Sequence, residues 1–132
     1  MGIIVDTDQL IELERGSPRG VALDRIIGDE ERAICAISVS ELLHGVFRSS
    51  GESRTRRLAF VERFLAGVDC LPVDEPAARI HAAVGADLAA TGRPIGTHDL
   101  WIGATALANG LGVATHNASD FTRIPGLRVL TA

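Results

Sequence analysis

The chain has 132 residues, a hydrophobic fraction of 46% and a mean hydropathy of +0.21, which suit one packed domain and exclude wholesale disorder. Its formal charge is −4 and all 13 basic residues are arginine, which excludes any mechanism built on a catalytic or phosphate-binding lysine. A mildly acidic chain is a poor non-specific binder of nucleic acid, so an RNA or DNA partner would need a local arginine patch or a metal ion.

Apolar runs such as Ala33–Ile37 are too short to span a bilayer. The opening MGIIVDTD has no basic stretch followed by an apolar one, so a cytoplasmic protein with no membrane partner is expected. Cys35 and Cys70 match no zinc or CxxC spacing and are read as buried thiols in a reducing compartment.

Short β-like runs alternate with helical stretches along the whole chain. Ile3–Asp6 reads as a first strand buried on both faces, followed by a helix over Asp8–Arg15 that breaks at Gly16-Ser17-Pro18. Pro18 opens a second helix with Val21, Leu23, Ile26 and Ile27 as its apolar stripe, ending at Gly28. Ala33–Ile37 is the second strand, after which Ser38 caps a helix carrying Val39, Leu42, Leu43, Val46 and Phe47. Ser53–Val68 is a helix with Leu58, Val61, Phe64 and Leu65 inward, and Cys70–Val73 is a third strand. A long helix runs from Glu75 to about Ala90 with Ile80, Ala83, Val84 and Leu88 inward; another, capped by Thr97, runs through Leu107. Gly112–Thr115 and Leu127–Leu130 complete the strands, so residues 1–132 read as a single α/β domain with one parallel sheet covered on both faces.

Ligands bind such sheets outside the carboxyl ends of the strands, so the residues just past each strand carry the functional information. Asp6 follows the first strand, Glu41 lies shortly after the second, Asp120 follows the fourth, and Asp99 opens the last long helix. Each has a structural explanation: Asp6 as a helix cap, Ser38-x-x-Glu41 as a capping box, Asp99 as a first-turn acid, and Asn117 and Asp120 as loop residues. Jointly they say more, because four acids at one end of a sheet repel one another unless a cation neutralises them. Hard cations such as Mg²⁺ or Mn²⁺ take oxygen ligands of this kind and can activate water against a phosphodiester.

The segments Ile3–Ile11, Ile37–Gly45, Ile95–Gly110 and Ala114–Phe121 resemble those of PIN-domain ribonucleases, specifically VapC-type toxins of VapBC toxin–antitoxin pairs. The family's Asp after the first strand, E-L-x-x-G, D-x-x-I-A/G-A and T-x-N-x-x-D-F fall in order on Asp6, on Glu41 with Gly45, on Asp99 with Ile102 to Ala104, and on Thr115, Asn117, Asp120 and Phe121. The resemblance implies a PIN-like three-layer α/β/α fold with a short parallel sheet of about five strands. It also implies a divalent-metal-dependent endoribonuclease in which Asp6, Glu41, Asp99 and Asp120 are catalytic and hold Mg²⁺ (or Mn²⁺), with Thr7 and Asn117 as hydrogen-bonding supports. The implied partners are an RNA substrate, a cognate VapB-type antitoxin that inhibits cleavage, and a second copy in a homodimer. The alternative is a catalytically weak scaffold acting mainly as an antitoxin-binding module.

Arg48, Arg54, Arg56 and Arg57, with Arg63, are the candidate RNA phosphate contacts, set against a solvated helix face pairing with Glu52 and Glu62. Asp8 is expected to be a solvated first-turn acid, and His44 and His81 ordinary surface residues. His98 and His116 flank ligand positions, where a general-acid role is conceivable on spacing alone, and Trp101 is read as a core or dimer contact. The IIVDTD opening also resembles haloacid-dehalogenase-type phosphatases, but these and receiver domains need a lysine that the chain lacks, and neither GxxxxGK[ST] nor GxGxxG occurs.

Overall fold

A computed structural model describes residues 2–132. Five short strands, β1 (Gly2–Val5), β2 (Glu31–Cys35), β3 (Asp69–Leu71), β4 (Gly112–Ala114) and β5 (Val129–Leu130), form one fully parallel sheet in the order β3-β2-β1-β4-β5. The helices are α1 (Thr7–Glu14), α2 (Pro18–Ile27), α3 (Ala36–Arg48), α4 (Gly51–Ala66), α5 (Glu75–Ala90), α6 (Thr97–Ala108) and α7 (Ala118–Phe121).

Strand alternation sends side chains into two separate cores and so makes three layers. Ile3, Val5, Ile34 and Ala114 face one side, where Leu10, Leu23, Ile27, Leu42, Val46 and Val61 of α1 to α4 cover them. Ile4, Ala33, Cys35 and Val113 face the other, against Ile102 and Ala106 of α6, Phe121 of α7 and Ile124. Ile3, Ile4 and Ile34 are wholly buried, and each such side chain contributes about 1.5–3 kcal/mol.

Most boundaries fall within two residues of the expectation, and the exceptions have local causes. The second strand starts and ends two residues early: Ala36 and Ile37 open α3, and Cys35 is its N-cap residue. Ser38 therefore lies inside the helix, and the capping box expected with Glu41 does not form. Likewise Gly96, not Thr97, is the N-cap residue of α6, and a four-residue helix, α7, occupies what reads as loop around Asp120. Gly28 ends α2 with φ +59°, a conformation glycine adopts without penalty. Cys70 is exposed, contrary to expectation, because it sits on the edge strand β3. Ala83 is exposed too, since α5 turns only Ala77 and Leu88 fully inward. Among the described residues, no helix is long and apolar enough to cross a membrane.

Chain order runs outward from β1 through β2 to β3, then returns to the other side of β1 for β4 and β5. The winding direction switches between β1 and β4, so a crevice opens past their carboxyl ends.

Candidate active site

Asp6 is the first residue beyond β1, at that crevice, and is 4% exposed. Its Oδ1 accepts the Thr7 N–H at 2.8 Å, capping α1, and its Oδ2 accepts the Thr115 hydroxyl at 2.7 Å from the end of β4. Burial pushes the Asp6 carboxyl up to about 7, helped by the charges of Asp8 and Asp99 and opposed by the hydrogen bonds from Thr115 and Thr7.

The next two residues carry the network outward. Thr7, itself buried, has its hydroxyl 2.7 Å from Glu41 Oε1 and 2.8 Å from the buried Ser38 hydroxyl on α3. One proton on Thr7 serves the Glu41 carboxylate, and the Ser38 hydroxyl then donates back to Thr7. Asp8 is not the solvated acid expected: its carboxylate accepts the His116 N–H at 3.1 and 3.2 Å and lies 3.3 Å from the Thr115 hydroxyl. It ties α1 to the loop after β4, where backbone donors would otherwise lack partners.

Asp99 opens α6 on the opposite wall and accepts the Asn117 side-chain amide at 2.8 Å. Burial first, then the neighbouring Asp120 and the charge of Glu41, push its carboxyl up to about 7 against that hydrogen bond. Asp120 moves the opposite way. Although burial raises it, the Gly96 N–H, Asp99, Asn117 and Arg123 together hold it below the usual carboxylate range. The two neighbouring carboxyls are thus pushed in opposite directions, Asp99 up and Asp120 down. Gly96 lies beside both, where a Cβ would be 3.6 Å from Asp120 Oδ2 and 3.7 Å from Asp99 Oδ2. Glu41 completes the arc, its Oε2 lying 3.2 Å from His98 Nδ1.

Asp6, Glu41, Asp99 and Asp120 thus come to one end of the sheet, with Thr7 and Asn117 hydrogen-bonded to three of them. Among the described residues, no ion pair neutralises Asp6, Asp8, Asp99 or Asp120. Nor do three His, Cys, Asp or Glu side chains close around one point as a preformed metal cage. The donor set is all oxygen, carries excess negative charge and is loosely spaced. That fits a hard, hydrated divalent ion held through one or two carboxylates and its own waters, and does not fit a zinc cage.

Spacing alone did not disclose the roles of Ser38, Gln9 and Thr115. Wholly buried Gln9 holds the Gly20 carbonyl through Nε2 and meets His116 Nε2 at 2.6 Å through Oε1, so the His116 ring is occupied in bracing α1 and α2. Their one legible signal is polarity at positions that the burial pattern requires to face inward. His81 is not a plain surface residue either: its ring stacks on Trp101 at 3.6 Å between α5 and α6.

The arginines gather elsewhere, on α3 and α4. Arg56 pairs with Glu52 at 3.8 Å in solvent, and Arg57 reaches Glu14 at 3.6 Å and the Gly45 carbonyl at 3.5 Å. Arg54 lies over the exposed Phe47 ring at 5.2 Å, and Arg48 is exposed. Glu62 forms no ion pair among the described residues. Arg56 and Arg57, with Glu14, Arg15, Ser53 and Phe60, line a cleft of about 500 Å³ between α1 and α4.

Residues 3–127 match the family model for the PIN domain. The chain is 39% identical over 132 residues to ribonuclease VapC1 of Rickettsia felis, covering 99% of this chain and 96% of that one. It is 32% identical over 126 residues to the tRNA(fMet)-specific endonuclease VapC of Salmonella typhimurium, covering 96% and 94%. Among solved structures it is similar to VapBC-1 from nontypeable Haemophilus influenzae, with a TM-score of 0.86 and 27% identity over 99% of this chain and 98% of that one.

Proposed function

The chain belongs to the PIN domain family, and from that premise we propose that it is a divalent-metal-dependent endoribonuclease toxin, held inactive by a cognate VapB-type antitoxin. The observation that carries this reading is the pair Asp6 and Asp99. Both are acids raised to about 7 by burial and by further acids, yet each is fixed by a dedicated neutral donor, Thr115 or Asn117. A fold keeps such repelling groups where a cation resolves the repulsion.

Asp6 and Asp99 would hold Mg²⁺ or Mn²⁺ directly, with Glu41 and Asp120 completing the acidic wall. When bound, the ion supplies charge neutralisation at the scissile phosphate and a water acidic enough to attack at neutral pH. The chain's own residues do the rest. Thr115 and the Thr7 amide fix both oxygens of Asp6, Asn117 fixes Asp99, and the Thr7 hydroxyl fixes Glu41, so the carboxylates cannot rotate away from the crevice. Glu41, whose second oxygen lies toward His98, would orient the attacking water and accept its proton. The water's oxygen would bond to phosphorus as the bridging P–O bond breaks, the departing ribose oxygen taking a proton from solvent, with no covalent enzyme intermediate. Arg48 and Arg54, which have no ion pair among the described residues, are the cations free to meet RNA phosphates, with Arg56 and Arg57 beside them. Acting on cellular RNA, the protein works in the cytoplasm.

The test is cleavage of a mixed structured RNA pool, including initiator tRNA, with Mn²⁺ or Mg²⁺, with EDTA, and with an Asp99→Asn control. The expected result is metal-dependent cutting that the substitution abolishes and that a stoichiometric cognate antitoxin suppresses. Failure of the well-folded protein to cut any RNA with either metal favours the antitoxin-binding scaffold.

A further inference from the structure

A cleft of about 430 Å³ opens directly beside the acids, lined by Thr7, Ile11, Ser40, Glu41, His44 and His98. Two of its walls already belong to the catalytic arc: Thr7 holds Glu41 Oε1, and His98 Nδ1 lies against Glu41 Oε2. The remaining surface is of another kind. Ile11 gives an apolar floor, Ser40 a hydroxyl, and His44 and His98 two imidazole rings that reach solvent from α3 and from the start of α6. His98 is 58% exposed, and Glu41 engages only one of its ring nitrogens. Neither ring supports the core.

We propose that this cleft is a subsite for one unpaired base of the RNA strand next to the scissile phosphate, with His44 and His98 as its stacking and hydrogen-bonding walls. The proposal rests on the ribonuclease reading above. Three observations favour a base over other occupants. The cleft is continuous with the acids through Glu41, so a nucleotide seated there carries its phosphate toward them. Its lining joins flat π-surfaces to an apolar floor, the combination on which single-stranded bases stack. It also offers no cation besides the imidazoles, so it suits a base better than a phosphate, which the arginines on α3 and α4 can meet.

RNA affinity separates this from cutting. Anisotropy of a short labelled single-stranded RNA of mixed sequence is measured on Asp99→Asn protein, then on the same protein carrying His44→Ala, His98→Ala or both. Stacking on one aromatic wall predicts a loss on the order of tenfold per substitution, with His44→Phe and His98→Phe recovering most of it. In the otherwise intact enzyme, the alanine variants also shift which base flanks the cut. Unchanged RNA affinity in folded variants overturns the subsite, as does loss of antitoxin affinity with RNA affinity intact, which assigns the cleft to the protein partner. If the parent chain cuts no RNA, the nuclease reading fails, while the binding arm still decides the subsite.

Discussion

Replacing Asp6 by Asn isolates the energetic cost of the acidic crevice. The folded chain holds a proton on Asp6 up to about 7, whereas the unfolded chain releases it near 3.8. Between those values the folded state binds more protons than the unfolded, so stability falls as pH rises, and the whole penalty is present above pH 7. At about 1.4 kcal/mol for each pH unit, the penalty is on the order of 4 kcal/mol, of which roughly 2 kcal/mol develops between about pH 5.5 and 8. Asparagine removes the charge and keeps the geometry. Its carbonyl still accepts the Thr7 N–H, and its amide can donate to the Thr115 hydroxyl, whose proton then turns to Asp8 3.3 Å away.

Urea unfolding in EDTA at both pH values is the assay, with equal m-values confirming that unfolding itself is unchanged. Asp6→Asn is expected to exceed the wild type at about pH 8 by a few kcal/mol and to lose about half of the wild-type pH slope; Asp99, raised to about 7 as well, supplies the rest. Added Mn²⁺ should close most of that gap. At 100 times its dissociation constant it stabilises the wild type by about 2.7 kcal/mol and the variant hardly at all. Identical pH slopes, or a variant less stable than the wild type at about pH 8, would refute the reasoning.

Asn117→Ala should leave the fold intact but free the Asp99 carboxylate, lowering RNA cleavage by about 10- to 100-fold in a steady-state assay. Thr7→Val frees Glu41 and leaves buried Ser38 without its partner, so both cleavage rate and melting temperature should drop, the stability by about 1–3 kcal/mol. Gly20→Ala puts a Cβ 2.9 Å from the Glu12 carbonyl carbon and 3.0 Å from the Leu13 nitrogen, both backbone atoms that cannot step aside. Forcing α1 and α2 apart should cost about 1–3 kcal/mol in chemical denaturation. Ile34→Ala, wholly buried on the interior strand β2, should cost about 2–5 kcal/mol by the same measurement and leave metal affinity unchanged.

Those costs also explain which features the sequence exposes to a reader. The strands and long helices are legible because periodicity reports burial, as in IIV at β1 or the Leu42 and Val46 face of α3. The four acids are legible because a parallel sheet aims its strand ends at one crevice. Boundaries set by backbone geometry are less so: AICAI reads as a strand throughout, yet Ala36 and Ile37 turn into α3, because the chain must enter the helix early enough to bring Ser38 and Glu41 under Thr7. Least legible are the long-range partners. That Asp8 caps the loop after β4, or that Gln9 braces His116, depends on residues more than a hundred positions away, and no local pattern encodes it.

The first turn of α1 is where these threads meet. Asp6, Thr7 and Asp8 are consecutive, and the helix fans their side chains toward β4, α3 and the loop after β4 respectively. Three adjacent residues therefore set the position of acids from both halves of the sheet, Glu41 directly and Asp99 through Thr115, whose hydroxyl in turn accepts the Asn117 N–H at 2.9 Å. Repulsion among the acids pushes this arrangement apart, and the neutral hydrogen bonds hold it together without cancelling charge. An arginine at any of these supporting positions would stabilise the empty crevice more, but it would also occupy the negative field that a divalent ion needs. Neutral donors at Thr7, Thr115 and Asn117 reconcile a folded apo protein with a crevice still able to attract a cation.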